Sequence, residues 1–304
     1  MDKLHRSKGA LLGLAVGDAV GTTLEFKPPG TFKPISDMVG GGPFRLNPGE
    51  WTDDTSMALC LAESLIECRG FDSIDQLQRY TRWWREGHLS SNGRCFDIGI
   101  ATRAALARFM TTRDAFCGST DPNSAGNGSL MRLAPVAMFY ADRPREAVLR
   151  AAESSQTTHA AGECVDACRY MAGLLVGALG GELKERLLSD MYEPVEGIWN
   201  ETPLAPRIAE VASGSFRTKQ PPAIQGSGYV VRSLEAALWA FHHAHSFEEA
   251  ILLAVNLGDD ADTTGAICGQ IAGAHYGVDG IPERWKSVIR HRDLIESFAE
   301  RLIQ

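Results

Sequence analysis

The hydrophobic positions of this chain recur with the spacing of helices rather than of strands. An apolar stripe runs through residues 9–21 at Leu11, Leu12, Ala15 and Val16, a spacing typical of one helix face. Similar stripes cover segments 57–68, 98–110, 130–140, 163–179, 229–244, 247–256 and 263–276. Few β-branched runs alternate with polar residues, so strand signals are scarce. The pattern predicts an all-α fold.

Glycines punctuate the first of these helical segments at a regular interval. Gly13, Gly17 and Gly21 lie four residues apart, so they share one face of a helix. A row of small residues lets the backbone of a second helix approach closely. We therefore expect another helix to pack tightly against this one.

Three long connections rich in glycine, proline and polar residues separate the helical segments, at 25–50, at 111–128 and in much of 193–228. Long connections in a compact protein are often functional loops. No low-complexity linker and no repeat of fixed period divides the 304 residues. We predict one domain over residues 1–304, with the chemistry carried by its loops.

Composition excludes several classes of partner. Hydrophobic residues make up 44% of the chain and charged residues 22%, which is typical of a globular protein. The formal net charge of −8 argues against a protein that binds nucleic acid or anionic membranes. A small ligand that carries phosphate stays compatible, because it needs only a few local backbone N–H groups.

Cysteine usage indicates a reducing compartment. The chain has seven cysteines, an odd number, and none forms a Cys-x-x-Cys pair. The apolar run near the N-terminus is only about eight residues long before Asp18 interrupts it, which is far shorter than a membrane-spanning helix. We expect a cytoplasmic protein.

Two aspartates stand at the head of the helical segment "WTDDTSMALCLAESL", residues 51–65. One interpretation is capping: the hydroxyl of Thr52 accepts a backbone N–H, and the acids Asp53 and Asp54 complement the helix dipole. The other interpretation is a cation site. The sequence of this segment alone leaves both open.

A second acid-headed helix occurs in "NLGDDADTTGAICGQIAGAHYG", residues 256–277, where Asp260, Asp262 and Thr263 precede an apolar stripe. If the two heads converge, four carboxylates meet, and such a cluster either raises its own pKa values or recruits cations. Ligand sets made only of oxygen suit Mg²⁺, Mn²⁺ or Ca²⁺ rather than zinc.

A turn of small residues lies in "SAGNGSLMRLAP", residues 124–135. It is predicted to lead into an apolar helix, whose free N–H groups would bind phosphate. A plain helix entry is the alternative, because the turn lacks the lysine of a Walker motif and Met131 replaces the last glycine of GxGxxG.

Four further residues have both a structural and a functional interpretation. Glu25 follows "GDAVGTTL" and Asp97 lies in "CFDIG", so either acid could be an N-cap or a surface residue. His159 could be a structural hydrogen-bonding residue. Tyr229 could pack in the core or line a ligand pocket.

Seven segments together resemble one protein family. They are "GLAVGDAVGTTLEF", "PGEWTDDTSMAL", "CFDIGIATRAAL", "GNGSLMRLAP", "TTH", "SGYVVRSLEAALWA" and "GDDADTTGAICG". Their order is similar to that in the ADP-ribosylglycohydrolases, which include the dinitrogenase-reductase activating glycohydrolase and the ADP-ribosylarginine hydrolases. The resemblance spans residues 9 to about 282. It implies an orthogonal bundle of helices with a binuclear Mg²⁺ or Mn²⁺ site.

The resemblance also implies roles for individual residues. The implied metal ligands are Thr52, Asp53, Asp54, Asp260, Asp262 and Thr263. Glu25 and Asp97 resemble the two acids near the scissile bond. The implied substrate-binding residues are Gly99, Gly126, Asn127, Gly128, Ser129, Met131, His159 and Tyr229. Asp259 departs from the family, in which glycine is frequent at this position, and we expect its side chain to face solvent.

The function implied by the resemblance is removal of ADP-ribose from a modified acceptor by metal-activated water with carboxylate assistance. ADP-ribosyl-arginine on a protein is the expected substrate, and a cognate ADP-ribosyltransferase or its target is a further expected partner. One alternative is another linkage, such as ADP-ribosyl-serine or O-acetyl-ADP-ribose. A second is an ADP-ribose-binding or immunity protein that blocks an ADP-ribosyltransferase toxin. Both acid–threonine clusters are intact, which favours the hydrolase.

Overall fold

A computed structural model describes residues 1–304, and its secondary-structure elements are all helices. In chain order they are α1 (Lys3–Gly21), α2 (Asp53–Cys68), α3 (Ser73–Glu86), α4 (Ile100–Thr112), α5 (Ala134–Phe139), α6 (Pro144–Gln156), α7 (Gly162–Leu179), α8 (Lys184–Leu187), α9 (Ile198–Glu201), α10 (Pro206–Ala212), α11 (Val230–His243), α12 (Phe247–Val255), α13 (Ala261–Tyr276), α14 (Glu283–Lys286) and α15 (Arg292–Arg301). Strand pairing is limited to three isolated β-bridges. The prediction of an all-α fold is confirmed.

Helices α1 and α13 pack against each other at backbone distance. A Cβ atom built on Gly17 would lie 2.0 Å from the carbonyl oxygen of Gly265, and one built on Gly9 would lie 2.1 Å from that of Gly273. The pairs run in opposite directions along the two helices, so the contact is antiparallel. The expected close approach is confirmed, and it places the C-terminal end of α1 beside the N-terminus of α13.

The start of α2 is fixed by a residue of α1. The carboxylate of Asp18 accepts the backbone N–H groups of Thr52, at 3.0 and 3.1 Å, and Thr55, at 3.1 Å. Thr52 is the N-cap residue, but its side chain accepts no backbone N–H. The interpretation that its hydroxyl caps the helix is therefore wrong, because the buried carboxylate of Asp18 accepts the N–H of Thr55 that such a hydroxyl would accept.

Seven helices lie outside the segments that the hydrophobic pattern predicts: the short helices α8, α9, α10 and α14, and the longer helices α3, α6 and α15. Each of the three longer helices buries only a narrow stripe between polar positions. In α3 the stripe consists of Gln76, Leu77, Tyr80 and Trp83, whereas the exposed and half-buried positions carry most of the charge. Such helices are stabilised by packing of one face rather than by overall hydrophobicity.

One predicted helix boundary and one predicted connection differ from the structure. Helix α5 begins at Ala134, after a turn that starts at Asn127, whereas the pattern predicts a helix from residue 130. The backbone N–H groups of Leu130 and Met131 donate to the carbonyl of Asn127, which closes that turn before the helix begins. The connection 193–228 is less irregular than predicted, because it contains the short helices α9 and α10.

One continuous hydrophobic cluster extends from α1 to α15 and surrounds the pair α1 and α13. All seven cysteines are free thiols, and five of them are buried. None of the helices combines the length and the hydrophobicity that crossing a membrane would require. The core thus holds the ends of α1, α2 and α13 together at one place.

Candidate active site

The acid-headed starts of α2 and α13 meet at the C-terminal end of α1. The hydroxyl of Thr52 lies 3.5 Å from Asp262 Oδ2, although 210 positions separate the two residues. The hydroxyl of Thr263 lies 3.5 Å from Asp54 Oδ2. The two acid–threonine clusters therefore meet in one site, as the sequence suggested they could.

The two acids expected near the scissile bond join the same cluster. One carboxylate oxygen each from Glu25, Asp97 and Asp262 lie within 4.8 Å of one another. Glu25 follows the short 3₁₀ turn at Thr22–Leu24 that ends α1, and Asp97 lies just before α4. Neither acid is an N-cap, so the capping interpretation of both is wrong.

Most of the cluster lines a pocket of about 470 Å³ whose lining contains no lysine or arginine; Thr52 and Asp54 do not line it. Burial raises the pKa of Glu25 to about 9, and the charges of Asp97 and Asp260 add to the shift. Burial also raises the pKa of Asp97 to about 6. The pKa values of the other clustered acids, Asp53, Asp54, Asp260 and Asp262, are raised as well, mainly by burial.

The donor set fits a divalent cation. Two oxygens, Glu25 Oε2 and Asp54 Oδ1, are buried without a hydrogen-bond donor, an arrangement that is costly for an anionic group. A nearby cation would satisfy these oxygens and lower the pKa values that burial raises. Because the donors are all oxygen atoms, they suit Mg²⁺ or Mn²⁺ better than zinc.

The acid pocket opens into a larger cavity of about 1090 Å³. Ile100, Ala101, Gly126 and Gly228 line both spaces. The N-terminus of α4 therefore lies at the junction, and its N-cap residue Gly99 offers no side chain to the first-turn N–H groups. Uncapped N–H groups at a helix start favour an anion.

The glycine-containing loop forms the opposite side of the junction. The backbone N–H groups of Gly128 and Ser129 donate to no acceptor in the chain. The side chain of Asn127 donates to Asp260 Oδ2 at 2.6 Å and to Ser233 at 2.8 Å. The hydroxyl of Ser129 is buried and bonds Ser155 at 2.8 Å, so only its backbone is free to bind a ligand. The loop is a turn, as the sequence predicts, and only the start of the following helix, at Ala134, is later than expected.

Arg132 is a buried residue to which the sequence assigned no role. It donates to the carbonyl of Gly128 at 2.8 Å and to the hydroxyl of Thr158 at 2.7 Å. That hydroxyl lies 2.8 Å from Nδ1 of His159. Arg132 thus braces both the loop and the histidine. The signal in the sequence was an arginine inside the otherwise apolar run "LMRLAP".

His159 and Met131 line the acid pocket, and both are buried. Burial and the charge of Arg132 lower the pKa of His159 to about 3, so its imidazole is neutral at physiological pH. A neutral imidazole whose Nδ1 faces a hydroxyl can offer its Nε2 N–H to a ligand.

Tyr229 lines the larger cavity and is half-buried. Its hydroxyl donates to Glu163 Oε2 at 2.6 Å and accepts from Arg207 Nη1 at 2.8 Å. A β-bridge joins Tyr229 to Gly126 of the loop. Tyr229 is therefore a wall of the cavity and not a core residue.

Comparison with known proteins agrees with this geometry. The sequence profile described as ADP-ribosylglycohydrolase matches residues 1–304. A Pseudomonas putida (strain GB-1) protein named ADP-ribosylarginine hydrolase Tri1 is 46% identical over 299 residues, which cover 98% of this chain and 78% of that protein. The ADP-ribosyl-[dinitrogen reductase] glycohydrolase of Rhodospirillum rubrum is 31% identical over 297 residues, covering 93% and 89% of the two chains.

A solved structure described as an ADP-ribosylglycohydrolase-related protein complex has the same fold. It matches with a TM-score of 0.87 and 46% sequence identity, covering 99% of this chain and 98% of the other. Family profile, relatives and solved structure together show that the chain belongs to the ADP-ribosylglycohydrolase family.

Proposed function

We propose that this protein hydrolyses the bond between ADP-ribose and a modified arginine side chain of a protein. The observation that carries the proposal is the approach of Glu25, Asp97 and Asp262 within 4.8 Å, in a pocket that opens into a larger cavity. Relatives at 46% and 43% identity are named ADP-ribosylarginine hydrolases, which supports arginine as the acceptor.

In this proposal the ligand crosses the junction of the two spaces. The reacting ribose lies in the acid pocket, and the diphosphate lies between the start of α4 at Gly99 and the free N–H groups of Gly128 and Ser129. The adenosine occupies the larger cavity against Tyr229. The neutral imidazole of His159 donates to the ligand near the loop. Binding energy from the diphosphate and adenosine would orient the ribose.

The proposal assigns two Mg²⁺ or Mn²⁺ ions to one group of ligands, Thr52, Asp53, Asp54, Asp260, Asp262 and Thr263. When bound, the ions neutralise the clustered carboxylates and polarise the oxygen atoms that they contact. Asn127 would hold Asp260 in place through its 2.6 Å hydrogen bond.

Proton transfer in the proposed reaction is carried out by carboxylates of the chain. In the reaction, the oxygen of water forms a bond to C1 of the ribose while the bond from C1 to the guanidine nitrogen breaks. Glu25 or Asp97 accepts one proton from that water, and the departing guanidine nitrogen takes up one proton in its place, so the net number of protons on the enzyme is unchanged. A carboxylate whose pKa lies near the working pH, such as Asp97 at about 6, is suited to this exchange.

Release of ADP-ribose from an arginine-ADP-ribosylated protein tests the proposal. The assay contains Mg²⁺ or Mn²⁺ in one arm and EDTA in the other, and it includes Asp53→Ala, Asp262→Ala and the exposed control Asp190→Asn. We expect metal-dependent release by the wild type and the control, and loss of release in the other two variants with unchanged helical circular dichroism.

Two outcomes would redirect the assignment. Wild-type turnover by Asp262→Ala would refute the metal ligands. Absence of release, with ADP-ribose still bound, would favour another linkage such as ADP-ribosyl-serine. If no linkage is hydrolysed, the remaining assignment is a protein that binds ADP-ribose without cleaving it. Such a protein would act by blocking access of an ADP-ribosyltransferase to its target.

A further inference from the structure

Part of the rim of the acid pocket faces solvent and does not border the larger cavity. Of the residues that line the acid pocket alone, only Phe26, Gly99 and Asp259 are exposed. If the ADP part of a substrate fills the larger cavity and its ribose fills the acid pocket, the acceptor leaves through this side. Gly99 has no side chain, so the acceptor meets the side chains of Phe26 and Asp259.

Phe26 is an aromatic residue held at the rim in a strained backbone conformation. The residue is 65% exposed, and its φ of 61° lies in a region that bulky residues rarely adopt. Its ring lies 6.5 Å from that of Phe44, whose ring lies 5.3 Å from that of Phe96. Strain that burial does not offset is characteristic of functional positions.

Asp259 is a second left-handed residue, and it is joined to Phe26 through the backbone. Its φ is 57°. The N–H of Phe26 donates to the carbonyl of Asp259 at 2.6 Å, and the N–H of Asp259 donates to the carbonyl of Lys27 at 2.8 Å. The carboxylate is exposed, as expected from the sequence, and takes part in no salt bridge. The two hydrogen bonds hold the backbones of these two residues together, and both residues line the acid pocket.

Building on the proposed function, we propose that Phe26 and Asp259 form an acceptor clamp that selects the guanidinium of arginine. The ring of Phe26 stacks on the flat face of the guanidinium, and the carboxylate of Asp259 accepts hydrogen bonds from its edge. Guanidinium groups bind aromatic faces and carboxylates in these two ways. A serine oxygen or an acetyl ester is neutral and lacks N–H donors, so it gains little from either contact.

The surroundings leave the clamp free for a cationic acceptor. No lysine or arginine lines the acid pocket, so no side chain of the chain competes there for Asp259. Phe26 follows Glu25 and Asp259 precedes Asp260 in the sequence. The clamp therefore holds the leaving group immediately next to the acids that act on the bond.

Kinetics of two conservative variants test the clamp. Phe26→Leu keeps an apolar side chain but removes the aromatic face, and Asp259→Asn removes the charge while tolerating the left-handed backbone. Phe116→Leu, at a phenylalanine 48% exposed elsewhere, and Asp190→Asn are the matched controls. The readouts are kcat and KM for a protein carrying ADP-ribosyl-arginine, and the Kd of free ADP-ribose, which lacks an acceptor.

We expect each clamp variant to raise KM by about two- to fivefold, the range of exposed cation–π and ion-pair contacts. The Kd of ADP-ribose and the controls should not change. An unchanged KM would overturn the clamp. A parallel rise in KM and in the Kd of ADP-ribose, or a fall in kcat alone, would also overturn it, because both indicate distortion of the ribose site.

These results are distinct from failure of the proposed function. If the wild-type protein released no ADP-ribose from the arginine-linked substrate, the proposed function would be refuted, and the clamp with it. If the wild type is active and the variants behave as the controls do, only the clamp is refuted.

Discussion

The carboxylate of Asp18 accepts the hydroxyl hydrogen of Thr55 at 2.6 Å and the backbone N–H of the same residue at 3.1 Å. It also accepts the N–H and the hydroxyl of Thr52. Asp18 belongs to α1 and both threonines to the start of α2, so one buried side chain fixes the helix that carries Asp53 and Asp54. The hydrogen bonds from the threonines partly offset the burial that raises the pKa of Asp18 to about 6.

Replacing Asp18 by asparagine should destabilise the protein. The amide would turn an N–H₂ group towards several donors, which leaves buried polar groups unpaired at a cost of about 1–3 kcal/mol. Chemical denaturation of the metal-free protein measures the change. Asp72→Asn is the control, because Asp72 is an exposed N-cap of α3 and asparagine caps helices equally well. Equal stability of the two variants would contradict the role of Asp18.

Gly17→Ala should destabilise the protein even though alanine favours helices. Its Cβ would lie 2.0 Å from the carbonyl oxygen of Gly265, so α1 and α13 would have to separate. Overpacking of this kind costs about 1–3 kcal/mol or more, which exceeds the gain in helix propensity of about 1 kcal/mol. Thermal denaturation measures the net effect.

Gly162→Ala is the matched control for that substitution. Gly162 opens α7, and a Cβ atom there meets no atom within 4 Å. We expect this variant to be as stable as the wild type or slightly more stable. A stable Gly17→Ala variant would show that the two helices separate without cost.

The metal-free protein should lose stability as the pH rises. The pKa of Asp97, about 6, and that of Glu25, about 9, lie above the ordinary values of 3.8 and 4.5. Folding therefore favours the protonated carboxyls, so their stabilising effect is complete below about pH 4 and is lost as the pH rises through 6 and then 9.

The measurement is Tm against pH in EDTA for the wild type and for Glu25→Gln. The variant lacks the titrating group, so its Tm should fall less steeply between about pH 5 and pH 9. Added Mg²⁺ should reduce the difference, because a bound cation stabilises the charged carboxylates. Parallel curves in EDTA would show that Glu25 ionises as readily in the folded state as in the unfolded chain.

Asn127→Ala should weaken metal binding more than it weakens the fold. The amide of Asn127 is the donor to Asp260 Oδ2 at 2.6 Å, and loss of such a supporting hydrogen bond lowers metal affinity by about ten- to hundredfold. Titration with Mn²⁺ by calorimetry gives the affinity directly. Asn200→Ala, at an exposed position of α9, is the control. Equal Mn²⁺ affinity in both variants would exclude this support.

The sequence predicted those parts of the site that repeat a local pattern. Asp53 and Asp262 each stand at the head of an apolar helix, and the structure brings these heads together. Gly13 and Gly17 indicated the close helix contact, although not that its partner is α13. The family resemblance supplied Glu25 and Asp97, which the local pattern alone left as ordinary surface acids.

Relationships between distant residues could not be predicted from the sequence. The bond from Asn127 to Asp260 spans 133 positions, and the capping of α2 by Asp18 spans 34. Both depend on how the helices pack. Helix α3 was missed for a related reason, since its exposed charges hide a stripe whose burial only tertiary packing reveals.

The backbones of α1 and α13 are in direct contact at their glycines. The spacing between Asp18 at the end of α1 and Asp262 at the start of α13 therefore does not depend on the size of a side chain between the two helices. We therefore expect the exchange of one apolar residue for another elsewhere in the core to leave that spacing unchanged. Phe26 and Asp259 lie on connections outside the helices, as Glu25 and Asp97 also do. Under the proposed function, substitutions at the exposed rim would therefore change the acceptor while the helix heads that carry Asp53 and Asp262 keep their positions.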